Sequence, residues 1–164
     1  MPINDYPVTS AVRMLREKKI SFIPHIHKYK EHGGTRLAAE IIGVPENFIV
    51  KTLIMETDQN KPLIILMHGD REVSTKQMAR IIGVKQVTPC NANTALRYTG
   101  YQFGGTSPFG TKHPLPVYVE KTILDLKKIY INGGKRGFII EINPQDLHTV
   151  FQLVEVEAAI LPHS

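Results

Sequence analysis

The chain has 164 residues, 42% hydrophobic and 21% charged, with a formal net charge of +5, a balance that predicts one compact domain with its own core. A single cysteine, Cys90, excludes an internal disulfide framework and favours a reducing compartment. No run approaches the ~20 apolar residues of a membrane span, and the opening MPINDYPVTSAVRMLREKK lacks an apolar core of signal-peptide length, so the expectation is a cytoplasmic protein with no membrane partner.

In chain order, Thr9 or Ser10 caps a predicted helix through Lys19, with Val12, Met14 and Leu15 on its apolar side. SFIPHIHKY (21–29) reads as extended, held so partly by Pro24. TRLAAEIIG (35–43) is a short helix stopped by Gly43, with Pro45 just beyond. FIVKTLIME (48–56) and PLIILMH (62–68) are strands of a hairpin; both carry apolar residues at odd and even positions, so both faces should be covered. STKQMARIIG (74–83) opens on Ser74 with Gln77 three residues later, a capping-box pattern. KQVTP (85–89) is a short strand and NANTALRYTG (91–100) a helix of one or two turns ending at Gly100. LPVYVE (115–120), KIYI (128–131) and FIIEI (138–142) are strands, the last two joined through NGGKRG. Asn143 caps a final helix over 144–154, with Pro144 at its first position.

The echo between AAEIIGV (38–44) and MARIIGV (78–84) suggests a repeat, and the same helix-stop chemistry used twice is the simpler account. Hairpins among the strands argue against a strictly alternating parallel sheet. The expected architecture is α/β of the α+β kind: a mixed, curled, barrel-like sheet with helices packed outside, in one domain spanning 1–164.

Basic residues gather in RMLREKK (13–19), KYK (28–30), KK (127–128) and GGKRG (133–137), which suits a polyanionic partner and equally a well-solvated basic surface. GGTSPFGTKHP (104–114) is a stiff loop. Within it GTSPFGTK has the glycine spacing of a phosphate-binding loop, but Thr-Lys stands where Lys-Ser/Thr is needed, and Pro114 and Pro116 prevent a helix from following. Ser107 fails as an elbow nucleophile because Phe109 replaces the second glycine. What the loop offers is backbone N–H groups at Gly104, Gly105 and Thr106, suited to a carbonyl oxygen or oxyanion, or else it is a plain connection. Lys51 lies in a strand with no solvated face, so it either snorkels at the sheet edge or meets an anion in a cavity; Thr52 adds a hydroxyl on the opposite face. His25, His27 and His32 lack a carboxylate or cysteine at a familiar ligand spacing, so neither metal nor cofactor is expected. Cys90 reads as an ordinary free thiol.

Three blocks in order, FIVKTLIM, TGYQFGGTSPFGTKHPLPVYVE and IYINGGKRGFIIEI, resemble the YbaK-like family of prolyl-tRNA-synthetase-associated editing domains, over about residues 9–157. The resemblance implies a mixed, barrel-like α/β fold and a free-standing deacylase that clears mischarged tRNA, usually proline tRNA. It implies that Lys51 is the critical side chain. Substrate contacts would come from Tyr29, Thr52, the loop Gly104, Gly105, Thr106, Ser107 and Pro108, and the hairpin residues Asn132, Gly133 and Gly134. The implied partners are the CCA end of an aminoacyl-tRNA and prolyl-tRNA synthetase. Cysteine-directed members carry Ser where Asn132 stands and Asp where Ile139 stands, and have a longer segment between Tyr29 and Lys51 with an aromatic residue absent here. The activity therefore transfers better than the amino acid cleaved, with cysteine, alanine and serine esters all open. Two other classes stand beside this reading: a catalytically silent module that binds tRNA or a nucleotide or docks on a synthetase, and a metal-dependent hydrolase built on the histidines.

Overall fold

A computed structural model describes residues 5–162; the expected 1–164 span therefore includes residues 1–4 and 163–164, which lie outside the described ones. Helix α1 (Ser10–Glu17) starts at Thr9, whose Oγ1 accepts the Val12 N–H at 3.1 Å. Strand β1 (Ile23–Ile26) leads to α2 (Gly34–Ile42), which ends at the left-handed Gly43. Strands β2 (Ile49–Thr57) and β3 (Pro62–His68) form the expected hairpin. Next come β4 (Glu72–Val73), α3 (Thr75–Ile82), β5 (Val87–Pro89) and α4 (Ala92–Thr99). After the glycine-rich loop follow β6 (Val117–Glu120), β7 (Ile129–Lys135), β8 (Phe138–Ile142), α5 (Asp146–Val150), β9 (Leu153–Val156) and β10 (Ala159–Ile160).

Ser74 Oγ accepts the Gln77 N–H at 3.1 Å, but the capping box is half made. The Ser74 N–H donates to Ala158 O at 2.8 Å, and Gln77 Oε1 instead takes Arg80 Nη1. The last helix is shorter than the expected 144–154, because Leu153–Val156 leaves it to pair in parallel with β6.

The main sheet is mixed and runs β1-β8-β7-β2-β3-β6-β9, with β5 added on β2; a separate small sheet pairs β10 with β4. The ladder does not return from β9 to β1, so the sheet is open rather than barrel-closed. Helices cover both faces, as the apolar strands require. On one face Val12 and Leu15 of α1, Ala95 of α4 and Leu147 of α5 pack with Val50, Ile54, Ile64, Leu66, Ile131 and Ile140. On the other, Ala38 and Ala39 of α2 pack with Ile49, Tyr130 and Ile139, while Met78 and Ala79 of α3 pack with Met55, Leu63 and Ile65. These two clusters are separate, and the residue between Ile49 and Leu53 on that face is Lys51.

Candidate functional site

The β2 strand is paired along one edge with β3, but its other edge is shared. Ile49 and Val50 pair in parallel with Tyr130 and Ile131 of β7, and Met55, Glu56 and Thr57 pair with β5. Between these ladders the edge of β2 has no strand partner, and a cavity of about 620 Å³ opens there. Its lining includes Tyr29, Thr35, Lys51, Thr52, Glu72, Cys90, Phe103, Gly104, Thr106 and Asn132.

Lys51 is half-buried and donates from Nζ to the carbonyl of Arg71, in the turn between β3 and β4. Burial lowers its pKa from the usual 10.5 by penalising the ammonium, against the opposing pull of Glu72, Glu46 and Asp70. Those carboxylates are themselves positioned: Glu46 Oε2 accepts Thr35 Oγ1–H at 2.7 Å, and Asp70 Oδ2 accepts Arg71 Nη1 at 3.1 Å. Thr52 Oγ1 is buried and makes no hydrogen bond within the described residues, leaving it a polar atom that a bound group would satisfy.

The opposite wall is built where two glycine-rich segments meet. Gly104 has φ +85° and its carbonyl accepts Asn132 Nδ2 at 3.0 Å. A Cβ on Gly105 would stand 2.8 Å from Arg136 N and 3.0 Å from Lys135 C, so only glycine lets the loop lie this close to the β7–β8 turn. Arg136 Nε donates to Phe103 O at 2.8 Å, and its guanidinium stacks on the Tyr29 ring at 4.9 Å. Asn132 Oδ1 accepts the N–H groups of Gly134 at 2.7 Å and Lys135 at 3.2 Å. Farther along the loop Phe109 is fully buried, and Tyr101 O–H donates to its carbonyl at 2.6 Å. The loop is stiff because it is anchored in the core at one end and on a hairpin at the other.

Residues 34–150 match the family model for the aminoacyl-tRNA editing domain. The chain belongs to that family. A relative in Enterococcus faecalis, named "Putative Cys-tRNA(Pro)/Cys-tRNA(Cys) deacylase EbsC", is 30% identical over 138 residues, covering 84% of each chain. The proline–tRNA ligase of Thermodesulfovibrio yellowstonii is 30% identical over 82 residues, which is 50% of this chain but 14% of that enzyme. The crystal structure of the hypothetical protein APE2540 superposes with a TM-score of 0.85 at 24% identity, over 93% of this chain and 100% of that one, a likeness of fold.

In this editing domain, six of the sequence-expected site residues line one cavity: Tyr29, Lys51, Thr52, Gly104, Thr106 and Asn132. Gly105, Ser107, Pro108, Gly133 and Gly134 stand outside its lining. Gly105, Ser107, Pro108 and Gly133 are buried behind it, and Gly134 packs against Tyr101 and Thr9. Ser107 is 0% exposed with Oγ accepting the Phe109 N–H at 3.2 Å, because Phe109 draws this part of the loop into the core. Of the three expected free amides, Gly105 N–H is committed to Gln102 O at 2.9 Å; those of Gly104 and Thr106 have no partner among the described residues. The histidines separate: His25 Nε2 lies 2.8 Å from Glu141 Oε1, while His27 and His32 line the cavity. The Arg71 carbonyl and the carboxylates of Glu46, Asp70 and Glu72 around Lys51 escaped the sequence reading. Their signal was an acidic set bracketing the β2–β3 hairpin in an otherwise basic chain.

Proposed function

We propose that this editing domain hydrolyses the ester of mischarged tRNA in trans, acting on proline tRNA that carries a small wrong amino acid such as cysteine, alanine or serine. The observation that carries the reading is Lys51, a desolvated cation in one wall of a cavity whose other wall is the Gly104–Thr106 loop. An aminoacyl ester is already reactive, so positioning and charge stabilisation supply most of what hydrolysis needs. Water adds to the ester carbonyl and the bond to the ribose oxygen breaks, releasing the free amino acid and a tRNA with its hydroxyl restored. Lys51 faces the ribose end, where negative charge develops on the departing oxygen. The unpaired amides of Gly104 and Thr106 take the carbonyl oxygen, and Asn132 keeps the loop in place. Thr52 Oγ1 supplies a hydrogen-bonding partner inside the cavity. The part of the lining formed by Leu53, Met55, Pro89 and Cys90 is apolar and favours a small uncharged side chain. The site works without metal or cofactor in this reading, in the cytoplasm and near prolyl-tRNA synthetase.

The test is a deacylation time course on proline tRNA charged separately with cysteine, alanine, serine and proline. Lys51→Ala should lose on the order of 10²-fold in turnover while keeping its circular dichroism spectrum. Equal turnover in the variant removes the proposed role of Lys51, and stable esters throughout leave a tRNA-binding module without catalysis.

A further inference from the structure

The glycine-rich loop leaves one large aromatic side chain in solvent. Of the chain's six phenylalanines, Phe103 alone is exposed, at 45%, and it stands in the lining of the cavity. Single exposed apolar residues are ordinary on a surface. This one is held out. Its carbonyl is fixed by Arg136 Nε at 2.8 Å, and the next residue, Gly104, sits in the left-handed region with its carbonyl fixed by Asn132. Gly105 then lies against the backbone of Lys135 and Arg136. The loop therefore cannot fold Phe103 away without breaking these contacts.

The charge around it comes from two of the basic runs, which the fold brings together. His27 N–H donates to Gly137 O at 2.8 Å, joining the 28–30 segment to the β7–β8 turn, and Arg136 stacks on Tyr29 between them. Lys28, Lys30, Lys135 and Arg136 are all exposed there, with Glu31 as the acidic residue in the same stretch. An exposed aromatic side chain in the lining of a cavity, with Arg136 bonded to its carbonyl and Lys30 in the same lining, matches a single-stranded nucleic-acid end, whose base stacks while its phosphates meet the charges. A peptide or lipid occupant would need a continuous apolar strip, whereas Phe103 is flanked by Gln102 and Gly104.

Resting on the reading of this site as one for charged tRNA, we propose that Phe103 is the stacking platform for the terminal adenine of the RNA 3′ end. Arg136 and Lys30 take the adjoining phosphates, and the ester-linked amino acid enters the cavity toward Lys51.

The probe is adenosine 5′-monophosphate, with ribose 5-phosphate as the control that lacks a base, measured by calorimetry on the wild type, Phe103→Ala and Phe103→Tyr. Adenosine monophosphate affinity should fall about 5- to 100-fold in Phe103→Ala and be kept in Phe103→Tyr, as expected for base–aromatic stacking. Ribose 5-phosphate should bind all three equally. On charged tRNA, Phe103→Ala should raise KM by a similar factor with kcat held. The platform is overturned if adenosine monophosphate binds the wild type no better than ribose 5-phosphate, or binds Phe103→Ala as well as the wild type. Binding here needs no turnover, so the two readings fail separately. A wild type that cleaves no ester but binds the nucleotide through Phe103 loses the deacylase reading alone. An active enzyme whose nucleotide affinity and KM ignore Phe103 loses the platform alone.

Discussion

Replacing Glu120 by alanine should disarm Lys51 from a distance. Glu120 ends β6, is 5% exposed, and accepts two main-chain bonds on Oε1, from Ala158 N at 2.7 Å and Ala159 N at 3.0 Å. The segment it holds is zipped to β4 through Ala159↔Val73 and Ile160↔Glu72, and the Ala158 carbonyl accepts Ser74 N–H at 2.8 Å. The residue before β4 is Arg71, whose carbonyl receives the Lys51 ammonium. A hydrogen bond to a charged group contributes about 1.5–3 kcal/mol, so losing two sets a ceiling of roughly 3–6 kcal/mol. Detachment of the tail lets both amides reach water, which brings the expected cost to about 2–3 kcal/mol, localised in β10 and β4. Amide exchange at Ala158–Ile160 and Glu72–Val73 should then quicken roughly 30- to 150-fold, since each 1.4 kcal/mol is a factor of ten. Turnover of charged tRNA should fall about tenfold with KM little changed, because a cation that has lost its fixed carbonyl is no longer pre-aimed. Glu120→Gln should recover most of both, as its amide oxygen can accept the same two bonds. Unchanged turnover in a Glu120→Ala protein whose tail has lost protection would refute the link from tail to lysine. Unchanged protection would refute the account of the tail itself.

Lys51→Met supplies a pH signature. Burial holds the folded-state pKa of Lys51 below 10.5, so the folded protein is penalised while the amine is charged. That penalty lifts as pH rises through the folded value toward 10.5; the melting-temperature difference, wild type minus Lys51→Met, should therefore grow across the alkaline range, and a flat or falling difference contradicts it. Desolvation, with Glu56 adding to it, pushes the Cys90 thiol up to about 11. Alkylation by iodoacetamide at pH 8 should accordingly run on the order of 100-fold slower than for an unhindered thiol, and a rate within tenfold of the free thiol would place Cys90 in a different environment. Gly105→Ala forces a methyl group onto the backbone at Arg136 N and Lys135 C, neither of which can move aside cheaply. It should lower the melting temperature by about 2–8 °C, for a cost of roughly 1–2 kcal/mol, and weaken turnover more than Ala at the exposed Gln102; equal effects would mean that the loop does not rest on the hairpin.

Much of the local structure was legible because its signals are local. Thr9 and Ser74 cap helices with the expected side-chain oxygens, Asn91 does the same for α4, and Gly43, Gly83 and Gly100 end helices in the left-handed region. Lys51 stood out for a physical reason visible in one dimension, a charge in a strand with no wet face. What failed was whatever depends on distant partners. β4 and β10 are two residues each, too short for any periodicity, and exist because they pair with one another. The run after Asn143 is apolar enough for helix or strand, and its parallel pairing with β6 cuts the helix short. Ser107 stood among the substrate contacts on the family resemblance alone, while the depth to which Phe109 pulls it is set by the core.

Asn132 joins these levels. The β2–β7 ladder ends at Val50↔Ile131, one residue before it, and the irregularity of β7 begins at it. By accepting the Gly134 and Lys135 N–H groups, the Asn132 side chain stands in for a strand partner and turns the chain. That turn diverts β7 from β2 at the position opposite Lys51, which opens the unpaired edge where the cavity lies. The same side chain uses its amide nitrogen to hold Gly104, the residue that faces the cavity from the other wall. One asparagine thus parts two strands and pins the loop across the gap, so the width of the site and the placement of its backbone amides are set together. A residue at this position with a shorter side chain or no amide would have to divide these tasks between other groups, which ties the identity of position 132 to the shape of the cavity as well as to its polarity.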